Sequence, residues 1–473
     1  MQEQQPKGLR YLILAQIWER LGYYSLQTIL ILFLTKALLL SEKNAYLIHG
    51  TFTSMLFLAA MIGSYYAERY LGFFRAVMVG GAFLLLGYLM LAWSSLTWMG
   101  LSLVIVGNGL FTPSLLHSIK ELFKPDDQRC VRAFSFLSMG MCIGAMIPPL
   151  FLGWIIKVYG WEAGFLSAAL AVFISLVIVF SRRHFYRRLS SIPLAKVMNI
   201  RLLAGLVTSC GVFYFLFQFP RETNWLISCV IFPALLGWVF FLLKKSRGLQ
   251  VNTVGSLLLL LVSIGYWTVQ SQTWTSLILY ADKNISKHWM GITLDAEWTR
   301  FFYPLFLFFL IPLFIRIGGV VEKKGLSFMM KGLSLSVLCL SFGFYVLGMG
   351  GVFFSDHGEV SAWWLIASYF IQALGELCLI PIALSFFSGV LPQHVRGMML
   401  TAWFIARAVA FSLGAELATL TAVPLDATLI ESLQVYNSAF ILYGTIALGL
   451  SIASFVFLPT YKRFKEWDVS QSS

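Results

Sequence analysis

Long runs of apolar residues, separated by short polar turns, make up most of this chain. A helix needs about 20 mostly apolar residues to cross a bilayer, whereas strands of a membrane barrel alternate in polarity over about ten residues. The runs are continuous and long, so they predict membrane-spanning helices. We expect an all-α polytopic membrane protein with 14 transmembrane helices. The predicted spans are 11–36, 46–66, 75–93, 97–122, 133–157, 163–181, 202–219, 224–243, 253–281, 300–316, 327–349, 361–390, 398–420 and 436–458.

The composition and the distribution of charge agree with this prediction. Of the residues, 59% are hydrophobic and 12% charged, whereas about a quarter are charged in an average soluble domain. If the N-terminus lies in the cytoplasm, 25 of the 34 Lys and Arg residues fall in cytoplasmic segments and seven on the opposite side. This asymmetry follows the positive-inside rule, so the net charge of +13 does not require nucleic acid. We expect a multi-pass protein of the plasma (inner) membrane with both termini cytoplasmic.

The loops are too short to hold a separate soluble domain. We predict an N-terminal six-helix bundle over 1–181, a linker and inserted helix pair over 182–250, and a C-terminal six-helix bundle over 251–473. The inserted pair carries almost no charge, so we interpret it as lying outside any transport path. The six cysteines show no metal-ligand spacing. We expect no metal and no cofactor.

Two charges interrupt the first predicted span. Glu19 and Arg20 lie near the middle of 11–36, where a charged side chain costs roughly 2.5–3.5 kcal/mol on insertion scales. Their spacing places them on one helical face with other polar residues. Such a face either lines a water-accessible cavity or holds a static ion pair between helices, and both interpretations remain open. The residues of this face are Gln16, Glu19, Arg20, Tyr23, Tyr24 and Gln27.

A second polar site is predicted in the span 361–390. Gln372 and Glu376 lie one turn apart, and Gly375 and Pro381 suggest a helix broken beside the acid, as transporter sites near the midplane often are. Arg407, in the span 398–420, is the other intramembrane cation besides Arg20. The run 270–276 is rich in Gln, Ser and Thr, for which polar contacts between helices are the plainer explanation.

Four segments carry a family resemblance that covers nearly the whole chain. WERLGYYSLQTILILFL (18–34) is similar to the first-helix motif ExxERFxYYG of the proton-dependent oligopeptide transporters, a branch of the major facilitator superfamily. GSYYAERYLGFFR (63–75) resembles the facilitator loop between the second and third helices, with Glu68 for the usual aspartate. LGELCLIPIALSF (374–386) and RGMMLTAWFIARAVA (396–410) resemble two later motifs of that family. The resemblance implies the major facilitator fold, two six-helix bundles with an inserted helix pair, and inward uptake of small peptides with protons by alternating access.

Several family positions differ in this chain. The first glutamate of the ExxER motif is Gln16, the lysine of the fourth helix is Thr112, and the glutamate of the seventh transport helix is Ser271. In the family that lysine pairs with the glutamate at position 376, so we hypothesise that Arg407 is the counter-ion of Glu376 here. The resemblance implies that Glu19 and Glu376 couple transport to protons. It implies a substrate site of Arg20, Tyr23, Tyr24, Gln27, Gln272, Tyr303, Glu376 and Trp403.

The leading functional prediction is a secondary active transporter that takes up di- or tripeptides, or peptide-like solutes, with protons. A transporter of a non-peptide metabolite with altered or lost proton coupling is the first alternative. The second is a sensor that keeps the fold without transporting. An enzyme is not expected, since no nucleophile–base or metal constellation is evident. We expect a monomer whose partners are the substrate, protons and the bilayer.

Overall fold

The computed structural model describes most of the chain. The described residues are 6, 8–124, 127, 129–189, 200–245, 250–289, 292–293, 295–323, 326–353, 355–389, 393–424 and 426–472.

Helices account for nearly all of the described first half of the chain. They are long because the apolar runs contain few helix-breaking residues outside the polar turns. The helices are α1 (Leu9–Leu32), α2 (Glu42–Tyr66), α3 (Phe73–Leu91), α4 (Thr97–Lys120), α5 (Arg129–Tyr159), α6 (Trp161–Ser181), α7 (Arg183–Leu189), α8 (Ile200–Gln218), α9 (Pro220–Leu226) and α10 (Phe232–Lys245).

The second half continues in the same way and adds two small antiparallel hairpins. Strands β1 (His288–Trp289) and β2 (Ile292–Thr293) pair with each other, as do β3 (Ser355–Asp356) and β4 (Glu359–Val360). Strands this short carry no periodic signal, and the sequence did not predict them. The helices are α11 (Gln250–Gln270), α12 (Ser276–Asn284), α13 (Phe302–Lys323), α14 (Leu326–Phe353), α15 (Ala362–Gly389), α16 (Gln393–Ala418) and α17 (Leu429–Ser472).

All fourteen predicted spans coincide with helical segments, which confirms the all-α prediction. Within the described residues, ten helices are long and apolar enough to cross a membrane. Helix α1 is not among the ten, because its polar face lowers the mean hydropathy of the segment. The span 202–219 yields only a shorter apolar helix, Ala204–Gln218.

The chain divides into two compact units. Unit 1 consists of Met1–Leu40 and Thr51–Pro220, and unit 2 consists of Ser41–Gly50 and Arg221–Ser473. The start of α2 therefore belongs to unit 2, while the rest of that helix belongs to unit 1. Packing defines these units, whereas the predicted boundaries at 181 and 250 rest on charge and loop length. The three-part division stays a prediction.

The predicted break in the span 361–390 is wrong, because α15 runs as one helix from Ala362 to Gly389. Gly375 has a packing role instead. A Cβ at this position would meet the carbonyl oxygen of Ser336 on α14 at 2.7 Å, and the Ser336 hydroxyl donates to the Gly375 carbonyl at 2.8 Å. The glycine therefore allows α15 to approach α14 closely.

A break does occur between α11 and α12, where Ser271–Trp274 form a tighter 3₁₀ turn. Backbone groups released from a helix inside a membrane need new partners. Side chains of the turn supply them: the Ser271 hydroxyl donates to the Thr268 carbonyl at 2.7 Å, and the Thr273 hydroxyl donates to the Gln270 carbonyl at 2.9 Å. The polar run 270–276 thus sustains an interrupted helix.

Candidate functional site

The first charged group lies in unit 1, on α1. The Glu19 side chain is fully buried, and Arg20 donates to both of its carboxylate oxygens, from Nε to Oε2 at 2.7 Å and from Nη2 to Oε1 at 2.9 Å. Gln16, one turn earlier, donates a third hydrogen bond to Oε2 at 2.9 Å. Removing two ions from water costs several kcal/mol each, and only hydrogen bonds of this quality offset that cost.

Helix α4 completes this group, which we call the Glu19 cluster (Gln16, Glu19, Arg20, Asn108 and Thr112). Arg20 Nη2 donates to Thr112 Oγ1 at 2.6 Å, and Asn108 Nδ2 lies 3.4 Å from Glu19 Oε1. Thr112 occupies the position for which the resemblance implies a lysine. Its hydroxyl accepts a hydrogen bond but adds no charge, so Arg20 keeps Glu19 as its charged partner.

Aromatic residues extend the Glu19 cluster along the same face of α1. The Arg20 guanidinium lies over the ring of Tyr23, with its carbon 4.6 Å from the ring centroid. Tyr24 packs edge-on against Tyr23, with 5.1 Å between the ring centroids. Gln27 donates to the Tyr23 hydroxyl at 3.0 Å. The structure therefore brings together the whole polar face that the spacing predicts, from Gln16 to Gln27.

The second charged group lies in unit 2 and joins three helices. The Tyr303 hydroxyl, from α13, donates to the Glu376 carboxylate on α15. Gln270, at the end of α11, donates to the Tyr303 hydroxyl oxygen at 2.7 Å. We call these three residues the Glu376 relay. Glu376 and Tyr303 are only partly buried, in contrast to Glu19. A carboxylate held by a neutral phenol can exchange a proton more readily than one held in an ion pair.

Arg407 on α16 lies close enough to the Glu376 carboxyl to act on it electrostatically. Its guanidinium carbon stands 4.0 Å from the ring centroid of Trp267 on α11, a cation–π contact. Trp403, one turn before Arg407 on the same helix, is buried. An aromatic ring of α11 thus holds the predicted cation of this unit, and the pairing of this cation with Glu376 stays a prediction.

Gln272 lies at the interrupted helix and is fully buried. Its amide nitrogen donates to the Gly414 carbonyl on α16 at 2.8 Å, and its amide oxygen accepts from the Ser276 hydroxyl at 2.8 Å. Both ends of this side chain are therefore engaged within unit 2. These contacts fasten the turn to α16, the helix that also carries Arg407.

The sequence did not identify the partnership of Tyr303 with Glu376, or the part that Gln270 plays in it. Tyr303 precedes Glu376 by 73 residues, and no local pattern relates two positions on different helices. The available signal was the residue at position 303, which departs from the family pattern. The resemblance implies an asparagine before proline where this chain has Tyr303, and the chain also has Thr112 in place of the lysine implied as the partner of the acid.

Comparisons with known proteins agree on one group of transporters. Residues 74–437 match the family model described as the POT family. Dipeptide and tripeptide permease A of Salmonella typhimurium is 28% identical over 475 residues, covering 98% of this chain and 94% of the relative.

Solved structures give the same result. A peptide transporter POT in complex with sulfate superimposes with a TM-score of 0.84 at 25% identity, covering 98% of this chain and 96% of that protein. Tetrameric PepTSo2 superimposes with a TM-score of 0.84 at 22% identity over 96% of this chain and 98% of its own, which shows a likeness of fold.

Proposed function

We propose, since this chain belongs to the POT family, that it is a secondary active transporter that takes up dipeptides and tripeptides with protons by alternating access. The permease relative carries dipeptide and tripeptide in its name, and the similarity spans almost the full length of both proteins. Transport, and no covalent chemistry, is the activity we assign to it.

The observation that carries the proton part of this proposal is the Glu376 relay. Glu376 is a carboxyl group within a helix that is apolar enough to cross a membrane, it is partly exposed, and its hydrogen-bond donor is a neutral phenol. Coupling to protons requires a carboxyl group that both gains and loses a proton during the cycle. We assign this role first to Glu376 and second to Glu19, because a proton that binds Glu19 has to displace its ion pair with Arg20.

The substrate contacts we propose are those of the predicted site. Tyr23 and Tyr24 supply partly buried rings and hydroxyls in unit 1, and Tyr303 and Glu376 supply a hydroxyl and a carboxyl group in unit 2. A peptide carries a charge at each end, so it needs groups of opposite sign to hold its termini. The remaining proposed contacts are Arg20, Gln27, Gln272 and Trp403.

The counter-ion of Glu376 is a separate part of the proposal. We propose Arg407 as this counter-ion, because it acts electrostatically on the Glu376 carboxyl and lies on α16, which packs against α15. A double-mutant cycle of Glu376→Gln and Arg407→Gln measures the coupling. We expect a coupling energy of about 1 kcal/mol or more in thermal stability. Additive effects of the two changes would remove Arg407 as the partner.

Counterflow with a labelled dipeptide in proteoliposomes tests the function. With a pH gradient, acid outside, we expect the labelled peptide to accumulate against its concentration gradient. Peptide exchange without accumulation, at a rate independent of the pH gradient, would refute proton coupling and would identify the protein as a facilitator. Binding without any flux would refute transport and leave a sensor. Exchange of another solute, with none of the dipeptide, would refute the substrate class.

We further propose that both termini face the cytoplasm in the inner membrane and that the protein functions as a monomer. The charge asymmetry of the loops supports the orientation. Since one solved neighbour is tetrameric PepTSo2, light scattering of the purified protein in detergent is the direct measurement of its oligomeric state. A single protomer mass supports the proposal, and a fourfold mass refutes it.

A further inference from the structure

An exposed group of arginines lies where α1 begins and α6 ends, in unit 1. We call Arg10, Tyr11, Arg182 and Arg183 the arginine–tyrosine cluster. The guanidinium carbons of Arg10 and Arg182 stand 5.0 and 4.2 Å from the ring centroid of Tyr11. Both arginines also donate to the Tyr11 hydroxyl, Arg10 at 3.2 Å. The Tyr11 side chain thus holds two positively charged guanidinium groups close together, although like charges repel each other.

Helix α7 fixes this arrangement by folding back on the start of α1. The Tyr186 side chain is buried, and its hydroxyl donates to the Gly8 carbonyl at 2.9 Å. The neighbouring ring of Phe185 lies against Gly8. Because these contacts tie the two chain segments together, Arg182 is held beside Tyr11 across 171 residues of sequence. The cluster is therefore a folded feature of the surface.

The positive charge of the cluster lies in stretches of sequence that contain no acidic residues. The sequence contains no Asp or Glu from position 8 to 18, or from 163 to 221. Among the residues that the structure describes, no carboxylate forms an ion pair with Arg10, Arg182 or Arg183. Each guanidinium has five N–H donors, and the Tyr11 hydroxyl accepts from one group on each of two arginines. Most of the donors remain available to an anion.

An apolar track leads along α6 to the cluster. Its side chains recur every three or four residues, so they lie on one helical face, and each is about half exposed. At 1.5 Å per residue the track is roughly 21 Å long, comparable to an acyl chain. Arg183 continues this face, with its guanidinium carbon 4.5 Å from the ring centroid of Phe180. The track consists of Leu166, Leu170, Phe173, Val177 and Phe180.

We propose that the arginine–tyrosine cluster binds the headgroup phosphate of an anionic phospholipid whose acyl chain lies along the α6 track. Planar guanidinium groups suit phosphate oxygens because they can donate two parallel hydrogen bonds. The cluster lies at the boundary between apolar helix and polar loop, where lipid headgroups are found. A soluble anion would use the arginines but would gain nothing from half-exposed leucine, valine and phenylalanine. This inference does not depend on the solute that the protein transports.

Native mass spectrometry of the purified full-length protein, titrated with phosphatidylglycerol or phosphatidylcholine, tests the proposal. We expect phosphatidylglycerol to bind more tightly than phosphatidylcholine. Each basic residue near an anionic headgroup contributes about 1 kcal/mol, so the double variant R10Q/R182Q should lose roughly 30-fold in phosphatidylglycerol affinity. The matched control R221Q/K331Q removes two charges from exposed positions elsewhere and should bind like the wild type.

Tyr11→Phe separates binding from folding, because it keeps the ring and removes the hydroxyl that holds the arginines. We expect a smaller loss of affinity, with an unchanged melting temperature. Equal phosphatidylglycerol binding by R10Q/R182Q and wild type would overturn the proposal, and so would an equal loss in the control. Displacement of the lipid by millimolar inorganic phosphate would indicate a water-soluble ligand and would also overturn it.

Discussion

At the scale of single residues, two carboxylates in apolar helices have different surroundings. Glu19 is fully buried and accepts two hydrogen bonds from Arg20 and one from Gln16. Glu376 is partly exposed and accepts a hydrogen bond from the Tyr303 hydroxyl. A pair of opposite charges holds both members ionised, whereas a carboxylate bonded to a phenol changes charge at lower cost. The first arrangement favours stability and the second favours proton exchange.

Arg20→Gln should therefore destabilise the protein strongly. It leaves Glu19 as a buried charge without its guanidinium, which costs about 3–5 kcal/mol. The melting temperature in detergent measures this loss. The double variant Glu19→Gln/Arg20→Gln should recover much of it, because no uncompensated charge remains. As a control, Arg221→Gln at an exposed position should change stability by less than about 0.5 kcal/mol. If the double variant is no more stable than Arg20→Gln, the ion pair is not the source of the effect.

Tyr303→Phe should impair gradient-driven uptake while leaving the protein folded. It keeps the ring and removes the hydrogen bond to Glu376, a bond to a charged group worth about 1.5–3 kcal/mol. A loss of that size should lower the initial rate of gradient-driven accumulation roughly tenfold or more. Tyr345→Phe on α14 removes a hydroxyl that pairs with Thr445 at 3.0 Å and serves as the matched control. Equal accumulation by the two variants would exclude Tyr303 from the coupling.

At the scale of helices, the interrupted segment between α11 and α12 is where the sequence was least informative. Gly375 and Pro381 predicted a break in the wrong helix, because a glycine weakens a helix and also permits close helix packing. Only the position of Ser336 on a neighbouring helix decides between these two roles. The polar face of α1, in contrast, was predictable, since spacing within one helix fixes which side chains are neighbours.

Gly414→Ala should destabilise unit 2 at the interrupted helix. A Cβ at this position would meet the Ser271 hydroxyl oxygen and approach the Thr268 carbonyl oxygen to 2.9 Å. Overpacking of this kind costs roughly 1–3 kcal/mol. Gly449→Ala on α17 is the matched control, because a Cβ there meets nothing within 4 Å and alanine favours the helix. Thermal unfolding should separate the two variants. Equal melting temperatures would show that the contact between α16 and the turn can shift freely.

At the scale of the whole molecule, the all-α membrane fold and the family followed from hydropathy and four sequence motifs. The pairing of Tyr303 with Glu376 did not, because it depends on which faces of α13 and α15 meet, and no periodicity within one helix records that. The direction in which the chain crosses the membrane rests on the Lys and Arg residues of the loops. That orientation is open to a direct test.

Cysteines introduced at two exposed loop positions should report opposite sides of the membrane. Asp356→Cys lies in the β3–β4 hairpin, which the predicted topology places outside, and Glu121→Cys follows α4 on the cytoplasmic side. A membrane-impermeant maleimide should label Asp356→Cys in intact cells and Glu121→Cys only after lysis. The wild type, with its six cysteines, gives the background. The reverse pattern would invert the topology.

In the proposed mechanism, coupling of transport to protons depends on one side chain, that of Glu376. Glu376→Gln keeps the size and hydrogen-bonding capacity of the side chain but cannot exchange a proton. We expect counterflow of a labelled dipeptide to continue, because exchange needs no net proton movement, but at a higher apparent KM, because Glu376 is also a proposed substrate contact. Accumulation driven by a pH gradient should fall to the level measured without a gradient.

Glu416→Gln removes an exposed carboxyl group on α16 and should retain full accumulation. It controls for the general loss of an acid from the C-terminal half of the chain. If Glu376→Gln accumulates peptide as the wild type does, the proton must travel through the Glu19 cluster, where Arg20 would have to release the carboxylate in every cycle. Glu19→Gln, which leaves the proposed substrate contact Arg20 in place, would then abolish accumulation, whereas the proposed mechanism predicts that this variant retains a response to the gradient through Glu376.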